Sequence, residues 1–247
     1  MIVFAWNCRG LGQASAIRDL RALIRTSSPD CFVLLETKVN LSSIQRILRQ
    51  LNFPSNVYVP PVGLAGGICV AWWEGFDLEP ITVSKNMISM LVFSTSGIQP
   101  WLLSAVYGPN SYPEKRLFWD FVGLEAEKFL GAWLMIGDFN GMQSSRDRSN
   151  NNRIDAGSRF MVNTFDHIGM LSIPSSDFFY TWSNRRFGSG RSYSRIDRGM
   201  ENDKWWELFP NASLKILPQS TSDHNPLVLY CFGQQGFTRR PFTFEAA

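Results

Sequence analysis

Short apolar runs of β character alternate with amphipathic stretches along the chain. Runs rich in branched and aromatic residues predict strands at Ile2–Cys8, Cys31–Glu36, Gly67–Trp73, Ile88–Ser94, Trp101–Tyr107, Trp133–Asp138, Phe178–Trp182 and Leu227–Phe232. Helices are predicted to begin near Ala14, Leu41, Pro113 and Gly157. In the first, Ile17, Leu20, Leu23 and Ile24 recur at helical spacing. In the third, Pro113 suits a first turn, and Leu117, Phe118, Phe121, Val122 and Leu124 are expected to form the apolar face. No repeat and no interior linker divides the chain. About twelve strands with four helices in one domain predict an α/β (α+β) sandwich. The domain is expected to span residues 1–232. Residues 233–247, rich in Gly, Gln, Arg and Pro, read as a linker-like tail leading to a missing downstream region.

Composition narrows the class. With 247 residues, 45% hydrophobic and 18% charged, the chain has the makings of an ordered globular domain and not of a disordered one. Its 9 Trp and 19 Phe imply a large aromatic core. The balance of 24 basic against 21 acidic side chains, +3, permits nucleic-acid binding without arguing for it. Cys8, Cys31, Cys69 and Cys231 form no CxxC pair and three sit in apolar runs, so buried free thiols in a reducing compartment are expected. The apolar start meets Arg9 too early for a signal peptide. The uncharged stretch 86–113 contains too many polar and turn residues for a membrane span, and reads as two buried strands around a Ser-Gly turn.

The chemistry lies where strands end. Asn7, Glu36, Tyr107 and Asp138 each close an apolar run; Asn140 follows in Gly-Asp-Phe-Asn, Asp197 lies in Arg-Ile-Asp, and Asp223 and His224 precede the last strand. Polar groups just beyond buried strand ends collect on one rim of a sheet. Carboxylates from Glu36, Asp138, Asp197 and Asp223 are hard oxygen donors, which suit Mg²⁺ or Mn²⁺ and not zinc. His224 offers a general acid/base or a donor to a developing oxyanion. The amides and the Tyr can hydrogen-bond phosphate oxygens, so the set has the parts for phosphodiester hydrolysis. Taken singly, each motif also fits a turn, a solvated strand end, a cap or ordinary packing; their joint order carries the reading. Between Ser183 and Arg198 stand Arg185, Arg186, Arg191, Arg195 and Arg198 with Gly188 and Gly190, which reads as a DNA clamp or as a solvated loop.

The ordered set Trp-Asn-Cys-Arg-Gly-Leu, Leu-Leu-Glu-Thr-Lys, Tyr-Gly-Pro-Asn, Gly-Asp-Phe-Asn, Thr-Trp, Arg-Ile-Asp and Ser-Asp-His resembles the endonuclease/exonuclease/phosphatase superfamily. Within it, Phe-Phe-Tyr-Thr-Trp-Ser-Asn-Arg-Arg-Phe-Gly and the tail Arg-Arg-Pro-Phe-Thr-Phe-Glu look most like the apurinic-type endonuclease domain of plant LINE-type (non-LTR) retrotransposons. The resemblance implies a four-layer sandwich, two mixed β-sheets packed face to face with helices outside. It implies a Mg²⁺-dependent (or Mn²⁺-dependent) endonuclease that nicks double-stranded DNA and leaves a 3′-hydroxyl to prime reverse transcription, with a reverse transcriptase region in a longer parent element. By the same resemblance Glu36 is the principal metal ligand, with Asn7 and Asp223 beside it. Asp138 orients or deprotonates water, Asn140 contacts the phosphate, Tyr107 supports the phosphate or leaving group, and Asp197 orients His224. Thr181 and Ser222 contact the DNA backbone or buttress the site, and Asn110 joins the DNA-binding set. Some apurinic endonucleases carry an acid where this chain has Arg9; an Arg there cannot bind a metal and is expected to hold a phosphate. The alternatives are an RNA or phospholipid/inositol-phosphate phosphodiesterase of the same superfamily, or an inactive retroelement fragment. An intracellular, nuclear location is expected.

Overall fold

A computed structural model of the chain describes residues 1–63, 65–93, 98–150 and 153–233. The expected Ser-Gly turn and the tail from residue 234 onward lie outside the described residues. In chain order the elements begin β1 (Ile2–Asn7), α1 (Ala14–Ser27), β2 (Cys31–Leu35), α2 (Leu41–Leu51), β3 (Ser55–Val62), β4 (Ala65–Trp72), β5 (Asp77–Val83), β6 (Met87–Phe93) and β7 (Trp101–Tyr107). They continue with α3 (Tyr112–Lys128), β8 (Trp133–Asp138), α4 (Ala156–Ile168), β9 (Leu171–Ser172), β10 (Ser175–Ser176), β11 (Trp182–Ser183) and β12 (Tyr193–Ser194). The last are β13 (Asp197–Glu201), α5 (Asp203–Leu208), β14 (Ser213–Ile216) and β15 (Leu227–Tyr230).

The strands make two large mixed sheets, ordered β10-β14-β15-β1-β2-β4-β3 and β5-β6-β7-β8-β13-β9, plus the small β11-β12 hairpin. Continuous apolar runs arise because the central strands are buried on both faces. Val3 and Ala5 of β1, Val33 and Leu35 of β2, and Leu103, Ala105, Leu134 and Ile136 of the second sheet meet in the layer between the sheets. The alternate residues Phe4, Trp6, Phe32 and Leu34 face α1 and α2, and Leu102, Val106, Trp133 and Met135 face α3 and α4. This is the expected α/β/β/α sandwich. All four cysteines are buried and free, as expected. No helix among the described residues is long and apolar enough to cross a membrane.

Helix starts fall within one residue of the expected ones. Asn40 and Asp155 cap α2 and α4 by accepting from the amides of Ser43 and Ser158. Three expectations need correction. Leu117 and Leu124 of α3 point to solvent; the buried stripe is Lys115, Phe118, Trp119 and Val122, which packs against α4. Phe178–Trp182 is mostly loop, with Phe178 and Phe179 part-exposed and only Trp182 entering a strand. The second sheet also gains β13, a polar-looking segment whose Arg198 is buried on Asp147 at 2.5 Å.

Two glycines set the contact between β7 and β8. A Cβ on Gly108 would meet the Phe139 carbonyl oxygen at 2.1 Å, and one on Gly137 would meet that of Val106 at 2.2 Å. Gly137 also has φ +142°, a region side-chain-bearing residues rarely adopt. Gly137→Ala is expected to lower the unfolding free energy by about 2–4 kcal/mol, measured by urea denaturation. A loss under about 0.5 kcal/mol, the range of an ordinary surface change, would show that the strands tolerate separation here.

Candidate active site

The site forms where two parallel strand pairs, one in each sheet, come to an end. β1 and β2 pair in parallel up to Asn7 and Leu35, which leaves Glu36 just past the sheet. β7 and β8 pair in parallel up to Tyr107 and Asp138, and β13 brings Asp197 opposite Asp138. Beyond the strands the backbone turns through the left-handed region at Arg9 (φ +54°), Glu36 (+51°), Lys38 (+51°) and Asn140 (+47°). Non-glycine residues there are uncommon, and these turns aim four polar side chains across one rim.

Its core is a buried set of three residues. His224 Nδ1 lies 3.0 Å and 3.1 Å from the two Asp197 oxygens and 3.9 Å from Asp138 Oδ2. Burial and then the neighbouring Asp197 push the Asp138 carboxyl up to about 7, against the pull of His224, Asn140 and Asn7. Burial opposes charge on His224, but Asp197 and Asp138 outweigh it and hold the imidazolium up to about 9. Trp6 Nε1 donates to the His224 carbonyl at 3.2 Å and fixes the segment from behind.

A second carboxylate pair lies beside the first set. Asn7 Nδ2 links the two, donating to Asp138 Oδ2 at 2.9 Å and Glu36 Oε1 at 3.2 Å. Arg9 Nη1 donates to Glu36 at 2.9 Å, its Nη2 donates to Asp223 Oδ2 at 3.2 Å, and Lys38 Nζ lies 2.7 Å from Glu36 Oε2. Burial acts to raise Glu36, but Lys38, Asn7 and Arg9 together hold it down at about 2. Trp182 Nε1 donates to Asp223 Oδ2 at 3.1 Å. Asp223 Oδ1 stands 2.9 Å from Arg9 Nε yet takes no hydrogen bond, because it is off the N–H direction. A buried carboxylate oxygen without a hydrogen bond, next to Glu36, fits a hard divalent cation. Asp138, Asp197 and His224 also have ligand atoms within 4.8 Å of one another, but Nδ1 there is already engaged by Asp197. Burial, with Glu36 and Asp138 adding, pushes the Tyr107 phenol up, so it stays protonated at neutral pH.

Several expected contacts resolve differently. Thr181 is fully buried, its Oγ1 accepting from the amides of Ile196 and Asp197, and Ser222 Oγ donates to the Asn7 carbonyl while accepting from the His224 amide. Both are buried and bonded within the protein, which fits the second of the two roles expected for them, buttressing the site. Asn7 turns its amide nitrogen to the carboxylates, linking the two acid sets, and its oxygen accepts from the Arg9 amide at 3.2 Å. Asn140 donates its backbone N–H to Asp138 Oδ1 and its side chain to the Gly108 carbonyl, and so positions the acid. The five arginines divide. Arg185 donates to the carbonyls of Ser220 and Ser222, Arg195 lies over the Phe179 ring and donates to Ser175, and Arg198 is buried. The remaining two are exposed: Arg186, next to Phe187, which is 93% exposed, and Arg191, which lies over the Tyr193 ring at 4.9 Å.

A groove of about 300 Å³ runs over the rim, lined by Arg9, Glu36, Asn110, Trp182 and His224 among others. It also takes in Lys115 and Arg148. These two and Lys38 were missed from sequence. Lys38 had a signal, since Glu-Thr-Lys places it two residues past Glu36 in one turn. Lys115 had none, because Pro-Glu-Lys-Arg reads as a solvated first turn.

The sequence profile of the endonuclease/exonuclease/phosphatase family matches residues 4–224. No curated protein matches the chain by sequence. Among solved structures, the fold is similar to an AP endonuclease from Archaeoglobus fulgidus (TM-score 0.73, 17% identity, 93% of this chain and 98% of that one). It is similar to the 3′ phosphatase NExo from Neisseria bound to product DNA hairpin (0.71, 17%, 93% and 98%). It is also similar to the endonuclease domain of TRAS1, a telomere-specific non-LTR retrotransposon (0.67, 15%, 92% and 96%). At these identities the likeness is one of fold.

The imidazole arrangement is directly measurable, since the chain has only two His. In a ¹⁵N NMR titration His224 is expected to keep both protons until about pH 9. Asp197→Asn should lower that midpoint by about 1–3 pH units, because burial then acts unopposed by its nearest carboxylate. An unmoved midpoint would detach Asp197 from His224.

Proposed function

The chain belongs to the endonuclease/exonuclease/phosphatase family, and on that premise we propose that it is a divalent-metal-dependent DNA endonuclease that nicks one strand and leaves a 3′-hydroxyl. The observation that carries this reading is the buried Asp138–Asp197–His224 set joined through Asn7 to Glu36, with Asp223 tied to Glu36 by Arg9 and with Glu36 and His224 lining one groove. Glu36 and Asp223 would hold Mg²⁺ or Mn²⁺, which supplies Lewis-acid stabilisation of charge on the phosphoryl oxygens.

The chain's own groups divide the remaining work. Asp138, raised towards neutrality by burial and by Asp197, takes a proton from the attacking water near its own pKa, where general bases are most effective. His224, held cationic and oriented through Nδ1 by Asp197, directs Nε2 at the charge developing on the phosphate. Tyr107, kept protonated, hydrogen-bonds the departing 3′-oxygen. Arg186 and Arg191 grip backbone phosphates beside the groove, with Phe187 next to Arg186. The nicked 3′-hydroxyl would prime a reverse transcriptase region of a longer parent element, which calls for a nuclear location.

On supercoiled plasmid, nicking is expected to require Mg²⁺ or Mn²⁺ and to stop with a chelator. Asp138→Asn and His224→Ala should each lower the rate by about 10²–10⁴-fold; wild-type rates in either would refute the assignment. An abasic oligonucleotide in the same assay separates repair from retroelement nicking. Arg186→Ala with Arg191→Ala should flatten the dependence of DNA affinity on log[salt] by about one for each arginine. An unchanged slope would place the grip elsewhere.

A further inference from the structure

Glu36 and Asp223 already have cations of their own. Arg9 brackets the pair: Nη1 is 2.9 Å and 3.2 Å from the two Glu36 oxygens, and Nε and Nη2 are 2.9 Å and 3.2 Å from the two oxygens of Asp223. Lys38 takes the other side of Glu36 at 2.7 Å. Guanidinium and ammonium thus match these two carboxylates charge for charge. A divalent cation arriving here meets no net negative charge on the pair, and finds its oxygens turned towards Arg9.

The two cations differ in what they can do next. The Lys38 side chain lies against Gly10, whose Cβ position would stand 3.8 Å from Lys38 Cδ, and serves Glu36 alone. The Arg9 side chain is 43% exposed and lines the groove that crosses the rim. Its planar fork, which here spans two carboxylates, also fits two oxygens of one phosphate. We infer that Arg9 is a displaceable counter-cation: it holds Glu36 and Asp223 in place before the divalent cation binds, and yields them when a DNA phosphate is present to take the guanidinium. This rests on the metal-dependent reading above. Without DNA, metal entry leaves two positive charges in excess over the pair and a guanidinium without a partner. With DNA, the phosphate gives the guanidinium a partner and cancels one of the two charges. Metal and DNA therefore strengthen one another's binding by one common factor.

The test follows Mn²⁺ binding by electron paramagnetic resonance, without DNA and with a short duplex. Spectra are read before nicking accumulates, checked by gel on the same samples, so that every protein keeps His224. In the Arg9 protein the duplex is expected to tighten Mn²⁺ by about 5–150-fold, the usual range of such coupling. Arg9→Gln should bind Mn²⁺ about tenfold or more tighter without DNA, as expected when a competing charge is removed, and should lose most of the duplex effect. Arg9→Lys, which keeps the charge without the fork, should fall between. Thermal melting without metal checks that each variant folds. Equal or weaker Mn²⁺ binding by Arg9→Gln, with the duplex effect unchanged, would overturn the inference and leave metal dependence standing. If no protein binds Mn²⁺ with or without duplex, the metal-dependent reading fails and the inference with it.

Discussion

Asp138 and Asp197 face each other across the β8–β13 pair as direct register partners, and both are buried. Like charges directly opposite on paired strands are destabilising, and burial strengthens the repulsion. The arrangement persists because His224 stands against both, closest to Asp197. Much of the rim serves to keep that ring in place. Thr181 ties down the backbone under Asp197, Ser222 joins the His224 amide to the Asn7 carbonyl, and Trp6 holds the His224 carbonyl. Removing the histidine would leave two buried carboxylates facing each other without a cation against them.

The acids of the site are neutralised in two different ways, and the difference assigns their roles. Asp138 and Asp197 share one counter-charge, the His224 imidazolium, and Asp138 is raised by burial and by Asp197. Glu36 is compensated by Arg9 and Lys38, cations that keep their charge, and is held far below the usual carboxylate range. It stays an anion throughout and suits electrostatic work. Asn7 touches both sets through one amide nitrogen. The overall balance of +3 hides this division, because a buried acidic centre is set against a basic rim.

The central strands were legible because burial on both faces gives unbroken apolar runs, as in β1, β2, β7 and β8. The site was legible for a related reason: a polar residue closing such a run has to lie on the rim. β13 was not, since Asp-Arg-Gly-Met-Glu looks solvated. Its Arg198 is buried only because Asp147, 51 residues earlier, turns in to meet it; removing one partner from such a pair costs about 3–5 kcal/mol. Edge strands hid behind proline. β3 carries Pro60 and Pro61, and β5 carries Pro80 next to a register shift. Proline is tolerated where no neighbour needs the amide, so it marks an edge as readily as a loop. The arginine loop failed similarly: composition showed the charge but not which side chains turn inward.

What remains is how a rigid centre can serve a variable grip. The rim residues Arg9, Glu36, Lys38 and Asn140 hold left-handed backbone, a conformation that costs about 1–3 kcal/mol each and persists only where the surroundings over-determine it. They adjoin strand ends paired within the two large sheets. Residues 184–192 belong to neither large sheet, and their tip of Arg186 and Phe187 packs outward. Neither Arg186 nor Phe187 bonds to the Asp138–Asp197–His224 set, so the tip can change without disturbing it. Arg185 donates to the carbonyls of Ser220 and Ser222, and the Ser183 amide donates to that of Asp223. These three bonds tie the arginine loop to the segment that carries His224, the residue that balances the two buried acids.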